Sequence, residues 1–121
     1  MSTFNWDEVP EDRVSPEYTR KVVHANSMVV ARIAGLAGAR TQPHTHDSEE
    51  LVIVLRGAWR FSLPTGDVTV RANGVLSIPP GVEHSSEMLE DTEALDVCTP
   101  TRPDWVTGED KYLHGDFQWA V

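Results

Sequence analysis

From residue 20 onward the apolar residues of this chain fall into short runs rich in β-branched types, a pattern that supports strands and leaves little room for helices. The runs occupy 21–24, 28–33, 51–55, 68–70, 75–78 and 95–97. Each is of strand length and too short for a helix that must bury a face. Between them stand Ala25-Asn26, Thr65-Gly66-Asp67, Ala72-Asn73-Gly74 and Pro79-Pro80-Gly81. These supply the positive or fixed φ that tight turns need. Turns that recur about every ten residues are the rhythm of a sandwich or barrel, so the sequence predicts an all-β fold.

The run 51–55 is apolar at every position, which predicts cover on both faces. One face belongs to the barrel interior, and the other to a packed sheet or a second subunit. A homodimer is the expected assembly.

With 121 residues, 40% of them hydrophobic, the chain suits one domain with one core. The expected division is a barrel over about 20–100, an acidic N-terminal arm over 1–19 and a tail over 101–121. No internal repeat is visible.

The formal net charge is -9, from 10 Lys plus Arg against 19 Asp plus Glu. That balance argues against a phosphate-backbone partner and against an anionic membrane surface, so neither nucleic acid nor membrane is expected. The opening residues are acidic where a signal peptide would be basic, and no run of 18 apolar residues occurs, which predicts a soluble cytoplasmic protein. The one cysteine, Cys98, cannot form an internal disulfide and reads as a small buried side chain.

The chemistry concentrates between Gly38 and Gly57. His44 and His46 are two apart, a spacing that on a strand sends both imidazoles to one face. Asp47, Ser48 and Glu49 can make a turn that returns Glu50 beside them, with Glu49 as the competing carboxylate. His84, just past Pro79-Pro80-Gly81, is the best-placed remaining histidine for a fourth ligand. His24 and His114 lie apart and read as surface residues. Imidazole and carboxylate donors without a thiolate suit one divalent transition metal, Fe, Mn, Ni, Zn, Cu or Co. Four protein ligands leave one or two positions on such an ion for water or substrate.

Gly38, His44, His46, Glu50 and Gly57 together match the first motif of the cupin superfamily, G-x5-H-x-H-x3-E-x6-G, without a gap. Five fixed residues in register arise by chance on the order of once in 10⁵ chains of this length. The second cupin motif, G-x5-P-x-G-x2-H-x3-N, is met at Pro79, Gly81 and His84, with Asn73 where glycine is expected and Met88 in place of the final Asn. The resemblance implies a double-stranded β-helix, or jelly-roll barrel, with the metal on His44, His46, Glu50 and His84 in its mouth.

A second resemblance covers 95–105, which looks like the D-x-F-x-P-x-R-x-D-[WF] ending of small monocupins. Among these are pectin-degradation cupins that open the ring of unsaturated uronates, and some polyketide-cyclase cupins. It implies active-site roles for Asp96 and Arg102, while Cys98 replaces the aromatic residue between them. Asp96 and Cys98 would face the same side of their strand.

These features support a non-redox isomerase, lyase or cyclase in which the cation polarises a carbonyl or enol oxygen. Asp96 would move a proton and Arg102 would anchor an anionic small-molecule substrate. A quercetinase-like dioxygenase and a non-catalytic module that binds a small ligand are the alternatives. Trp59 and Phe61 alternate on the strand after Gly57 and face either the interior or the opposite side. Tyr18 and Trp105 are candidates for the rim, with core packing as the ordinary role of all four aromatics.

Overall fold

The computed structural model describes residues 1–100. After a short 3-10 turn (Trp6–Glu8) come β1 (Asp12–Ser15), β2 (Tyr18–His24), β3 (Val29–Gly35), β4 (Arg40–His44) and β5 (Glu49–Arg56). There follow β6 (Ala58–Leu63), β7 (Gly66–Arg71), β8 (Val75–Ile78), β9 (His84–Met88) and β10 (Thr92–Thr99). They form a six-stranded sheet in the order β1-β2-β3-β10-β5-β8 and a four-stranded sheet in the order β4-β9-β6-β7. Every pairing is antiparallel. The all-β, double-sheet expectation holds. No helix among the described residues is long and apolar enough to cross a membrane.

Period-two alternation decides which side chains enter the space between the sheets. Along β10, Thr92, Ala94, Asp96 and Cys98 are buried and alternate with half-buried residues. Along β5, Glu50, Val52 and Val54 turn inward while Leu51 and Leu55 stay exposed. The core joins Val29, Ala31, Ile33, Val52, Val54 and Ile78 from one sheet to Trp59, Phe61, Val70 and Met88 from the other, with Ala39 from the turn before β4. Full burial of a Val or Ile side chain contributes about 1.5–3 kcal/mol, so this shared layer is what holds the sheets face to face.

Four strands, β1, β4, β6 and β9, lie outside the apolar runs. β1 lies inside the stretch read as an arm, and pairs with β2 through Asp12↔Arg20 and Arg13↔Thr19. There the buried Arg20 Nε donates to Asp12 Oδ2 at 3.1 Å. The N-terminal turn is tied down by Lys21 Nζ, which donates to the Trp6 carbonyl at 2.9 Å.

Asn73 explains why the second motif tolerates its departure. Its φ is +72°, the left-handed conformation for which glycine is usual and which Asn enters more readily than other residues. Trp59 and Phe61 face the interior, with ring centroids 4.8 Å apart. Tyr18, a candidate for the rim, is instead buried against Trp59 in an edge contact at 6.5 Å.

Candidate metal centre

Three strand ends and one loop meet at one end of the barrel. His44 closes β4 and pairs with His84, which opens β9. Glu50 sits at the start of β5, paired with Cys98 on β10 and Ile78 on β8. His46 lies past the end of β4, so its approach depends on the loop and not on strand alternation. That loop is pinned twice: Gly81 N–H donates to the His46 carbonyl at 2.9 Å, and Ser48 Oγ donates to the Pro100 carbonyl at 2.6 Å. The first bond joins the two motifs, and the second joins the loop to the end of β10.

The rings converge. One nitrogen from each of His44, His46 and His84 falls within 4.8 Å of the others, and the His44–His84 centroids are 4.3 Å apart. Glu50 Oε1 is 2.8 Å from His46 Nε2 and 3.4 Å from His84 Nε2. Glu49, the competing carboxylate, is exposed, whereas Glu50 is buried. His24 is exposed at the end of β2, and His114 lies outside the described residues.

The backbone fixes which nitrogen of each ring faces inward. Nδ1 of His44, His46 and His84 meets the carbonyl oxygens of Gln42, Ser48 and Val82 at 2.6, 2.9 and 2.8 Å. A carbonyl only accepts, so each Nδ1 carries the proton and donates. In the neutral ring that leaves Nε2 as a bare acceptor. Nε2 atoms and a carboxylate oxygen crowded this closely repel unless a proton or a cation lies between them: without an ion a protonated Nε2 donates to Glu50 Oε1, and with one the bare Nε2 atoms are ligands. Separations of 2.8 and 3.4 Å are those of ligands that each stand about 2.0–2.2 Å from a common ion. Ring N–H groups held by carbonyls are also the usual outer support of metal-bound histidines. The donor set therefore fits a divalent transition metal.

Burial alone would raise the pKa of Glu50. Hydrogen bonds from His46, His84 and Asp96, with the charge of His84, outweigh it and hold the carboxyl well below its ordinary value. Glu50 is thus an anion at neutral pH, as a metal ligand must be.

Asp96 and Cys98 point inward from β10, as their spacing predicts, and one oxygen of Asp96, the Cys98 sulfur and one Glu50 oxygen lie within 4.8 Å of one another. Both residues are buried. Arg102 and Trp105 lie outside the described residues. Sequence reasoning does not single out Thr41 and Ser86, whose hydroxyls meet at 2.8 Å in the interior. The only trace of them is the alternation His84, Ser86, Met88 along β9.

Residues 26–108 match the family model described as the AraC-like ligand binding domain. No curated protein matches the chain. Among solved structures, KdgF from Halomonas sp. superposes with a TM-score of 0.79 at 25% identity, covering 86% of this chain and 99% of that one. An RmlC-like cupin from Shewanella frigidimarina gives 0.77 at 17% identity, with 85% and 93% covered. An oxalate decarboxylase of B. subtilis gives 0.72 at 19% identity, covering 80% of this chain but only 29% of the decarboxylase. The last two likenesses are of fold alone.

Proposed function

The chain belongs to the AraC-like ligand binding domain family and has the cupin fold; from that premise we propose that it is a metal-dependent enzyme acting on a small oxygenated organic molecule, by non-redox isomerase, lyase or cyclase chemistry. His44, His46, His84 and Glu50 would hold one divalent ion. When bound, the ion would polarise a carbonyl or enol oxygen of the substrate and make the neighbouring carbon more acidic.

The observation that carries this reading is a buried carboxyl, Asp96, hydrogen-bonded to Glu50 beside the imidazole cluster. An acid held there, out of water and within one side chain of the ligands, is positioned to hold or move a proton at its Oδ atoms. Fully buried Ala31 on β3, Val52 on β5 and Cys98 on β10 exclude water around it. Arg102 is assigned the anchoring of an anionic group. Cys98, smaller than the aromatic residue of the uronate ring-opening cupins, would leave more room beside Asp96 and shift the substrate away from theirs. A cytoplasmic location is part of the same reading.

The test uses protein loaded with one divalent metal, kept anaerobic in D₂O with a panel of enolisable keto acids and unsaturated uronates. Proton transfer is read by NMR as deuterium incorporation or ring opening. Wild-type protein should exchange or convert at least one compound without incorporating oxygen, and Asp96→Asn should slow this by about 10²–10⁴-fold while keeping its metal. Unchanged turnover in Asp96→Asn with the metal still bound would end the proton-transfer reading. Oxygen uptake coupled to product would move the assignment to a dioxygenase.

The family description names a ligand binding domain, and that observation favours a second reading, a module that captures a small ligand without altering it. Recovery of chemically unchanged ligand from the complex, with no exchange in D₂O, would select it.

The partner proposed for the outer face of the six-stranded sheet is a second copy. Leu51, Leu55 and Val75 are exposed there, next to Val97 and Leu95 by register. On a chain of net charge -9 this face carries Lys21 and Arg32, paired by register, and an Arg56–Glu93 ion pair, so it holds little of the negative charge that would drive two copies apart.

A further inference from the structure

Beneath the imidazole cluster the strands continue into the barrel, and the register of both sheets defines the next layer down. On the four-stranded side Ser86 pairs with Thr41 and with Phe61. On the six-stranded side Asp96 pairs with Ala31 and Val52. Ser86 is two residues from His84, and Val52 is two residues from Glu50. Two residues of strand put the backbone of this layer about 7 Å deeper than that of His84 and Glu50, while the Asp96 side chain reaches back toward Glu50. Ile33, Val54, Ala94, Trp59 and Met88 follow below it as an apolar floor, each at most 2% exposed.

The polar members of this layer are not explained by packing. Thr41 and Ser86 are more than nine-tenths buried, at 8% and 7% exposure, and their hydroxyl oxygens are 2.8 Å apart. Two hydroxyls bring two protons, and the bond between them uses one. Among the described residues neither oxygen has a second hydrogen-bond partner, so one O–H of this buried pair has no acceptor among them. A buried donor left unmet destabilises a fold, and a purely structural wall would do better with Val and Ala.

We infer that the Thr41–Ser86 pair is a specificity subsite: its spare O–H donates to an acceptor oxygen at the end of the substrate remote from the imidazole cluster. The fitting ligand class is a small acid with oxygen functions at both ends, about one layer apart, whose middle lies along the Phe61 ring. This rests on the proposed reading that substrate is held at His44, His46, His84 and Glu50.

The test is calorimetric, on protein loaded with Zn(II), with two probes. Pyruvate carries its oxygens at one end, and 2-oxoglutarate adds a second carboxylate at a reach comparable to one layer. The wild-type protein should bind 2-oxoglutarate at least 10-fold more tightly than pyruvate. Thr41→Val and Ser86→Ala should each erase most of that preference, leaving pyruvate affinity, metal content and thermal unfolding close to wild type. Thr41→Ser, which keeps the hydroxyl, should restore the preference. Equal binding of the two acids by the wild type, binding of neither, or a parallel loss of both acids in the variants would overturn the inference while the metal reading stood. A wild-type protein that holds no zinc would bring down both.

Discussion

Three backbone carbonyls decide what the histidines can do. By taking the Nδ1 protons of His44, His46 and His84 they turn the Nε2 atoms toward one another and toward Glu50. The residue that balances them is Glu50, and replacing it with Gln removes the negative charge while keeping the shape. Glu50→Gln should weaken divalent metal binding by about 100-fold or more, above the 10–100-fold usual for outer-sphere changes, as read by competition with a chromogenic chelator. A second expectation concerns acid. The native carboxyl of Glu50 is held below its ordinary value, so its ionised form stabilises the fold above the unfolded-chain value of about 4.3, and the contribution fades as pH falls through the lower native value. In metal-free protein the difference in Tm between wild type and Glu50→Gln should therefore stay level from about pH 6 to 5 and narrow below about pH 4. The residues of this centre were legible in the sequence because metal ligands sit at fixed spacings. Thr41 and Ser86 were not, because a buried hydroxyl looks like any exposed one until the register is known.

At the scale of elements, turns carry much of the specification. Gly57 joins β5 to β6 with φ +97°, and a Cβ there would meet the Asp91 carbonyl and come within 2.8 Å of the Thr92 Cα. Gly57→Ala should cost about 2–4 kcal/mol in urea denaturation, since it adds left-handed strain to a backbone clash. Asn73→Gly should be close to neutral, whereas Asn73→Val should destabilise, because only the β-branched residue resists the φ of +72° found there. The apolar runs announced β2, β3, β5, β7, β8 and β10, while β1, β4, β6 and β9 fell outside them. β9 reads His-Ser-Ser-Glu-Met: its inward positions hold a metal-ligand candidate, a hydroxyl and only one apolar side chain. Polar interior positions are what a site requires, and they erase the hydrophobic alternation by which strands are recognised. The same trade explains His46, whose position depends on hydrogen bonds from Gly81 and on the anchored Ser48, contacts that two-residue spacing does not reveal.

At the scale of the whole molecule, an acidic chain concentrates acceptor atoms at the mouth of a hollow sheet, so a bound cation should tie the motifs together and stabilise the fold. At a free metal concentration 100-fold above Kd the gain is about 2.7 kcal/mol, or a rise in Tm of roughly 10 °C that a chelator reverses. The apolar outer face belongs to this scale as well. Light scattering on wild-type protein should give the mass of two chains, and Leu51→Glu with Leu55→Glu should give one, with metal content unchanged. The barrel was legible from the strand rhythm and the motif together. The wholly apolar run 51–55 is the one sequence feature behind the proposed dimer, and in the fold Leu51 and Leu55 are exposed. The most direct test of the central claim is a crystal of metal-replete protein examined by anomalous diffraction at the absorption edge of the loaded ion. The account expects one peak per chain, bonded to Nε2 of His44, His46 and His84 and to a Glu50 oxygen at about 2.0–2.2 Å. A map with no peak among those four side chains, or with the ion held elsewhere, would contradict it.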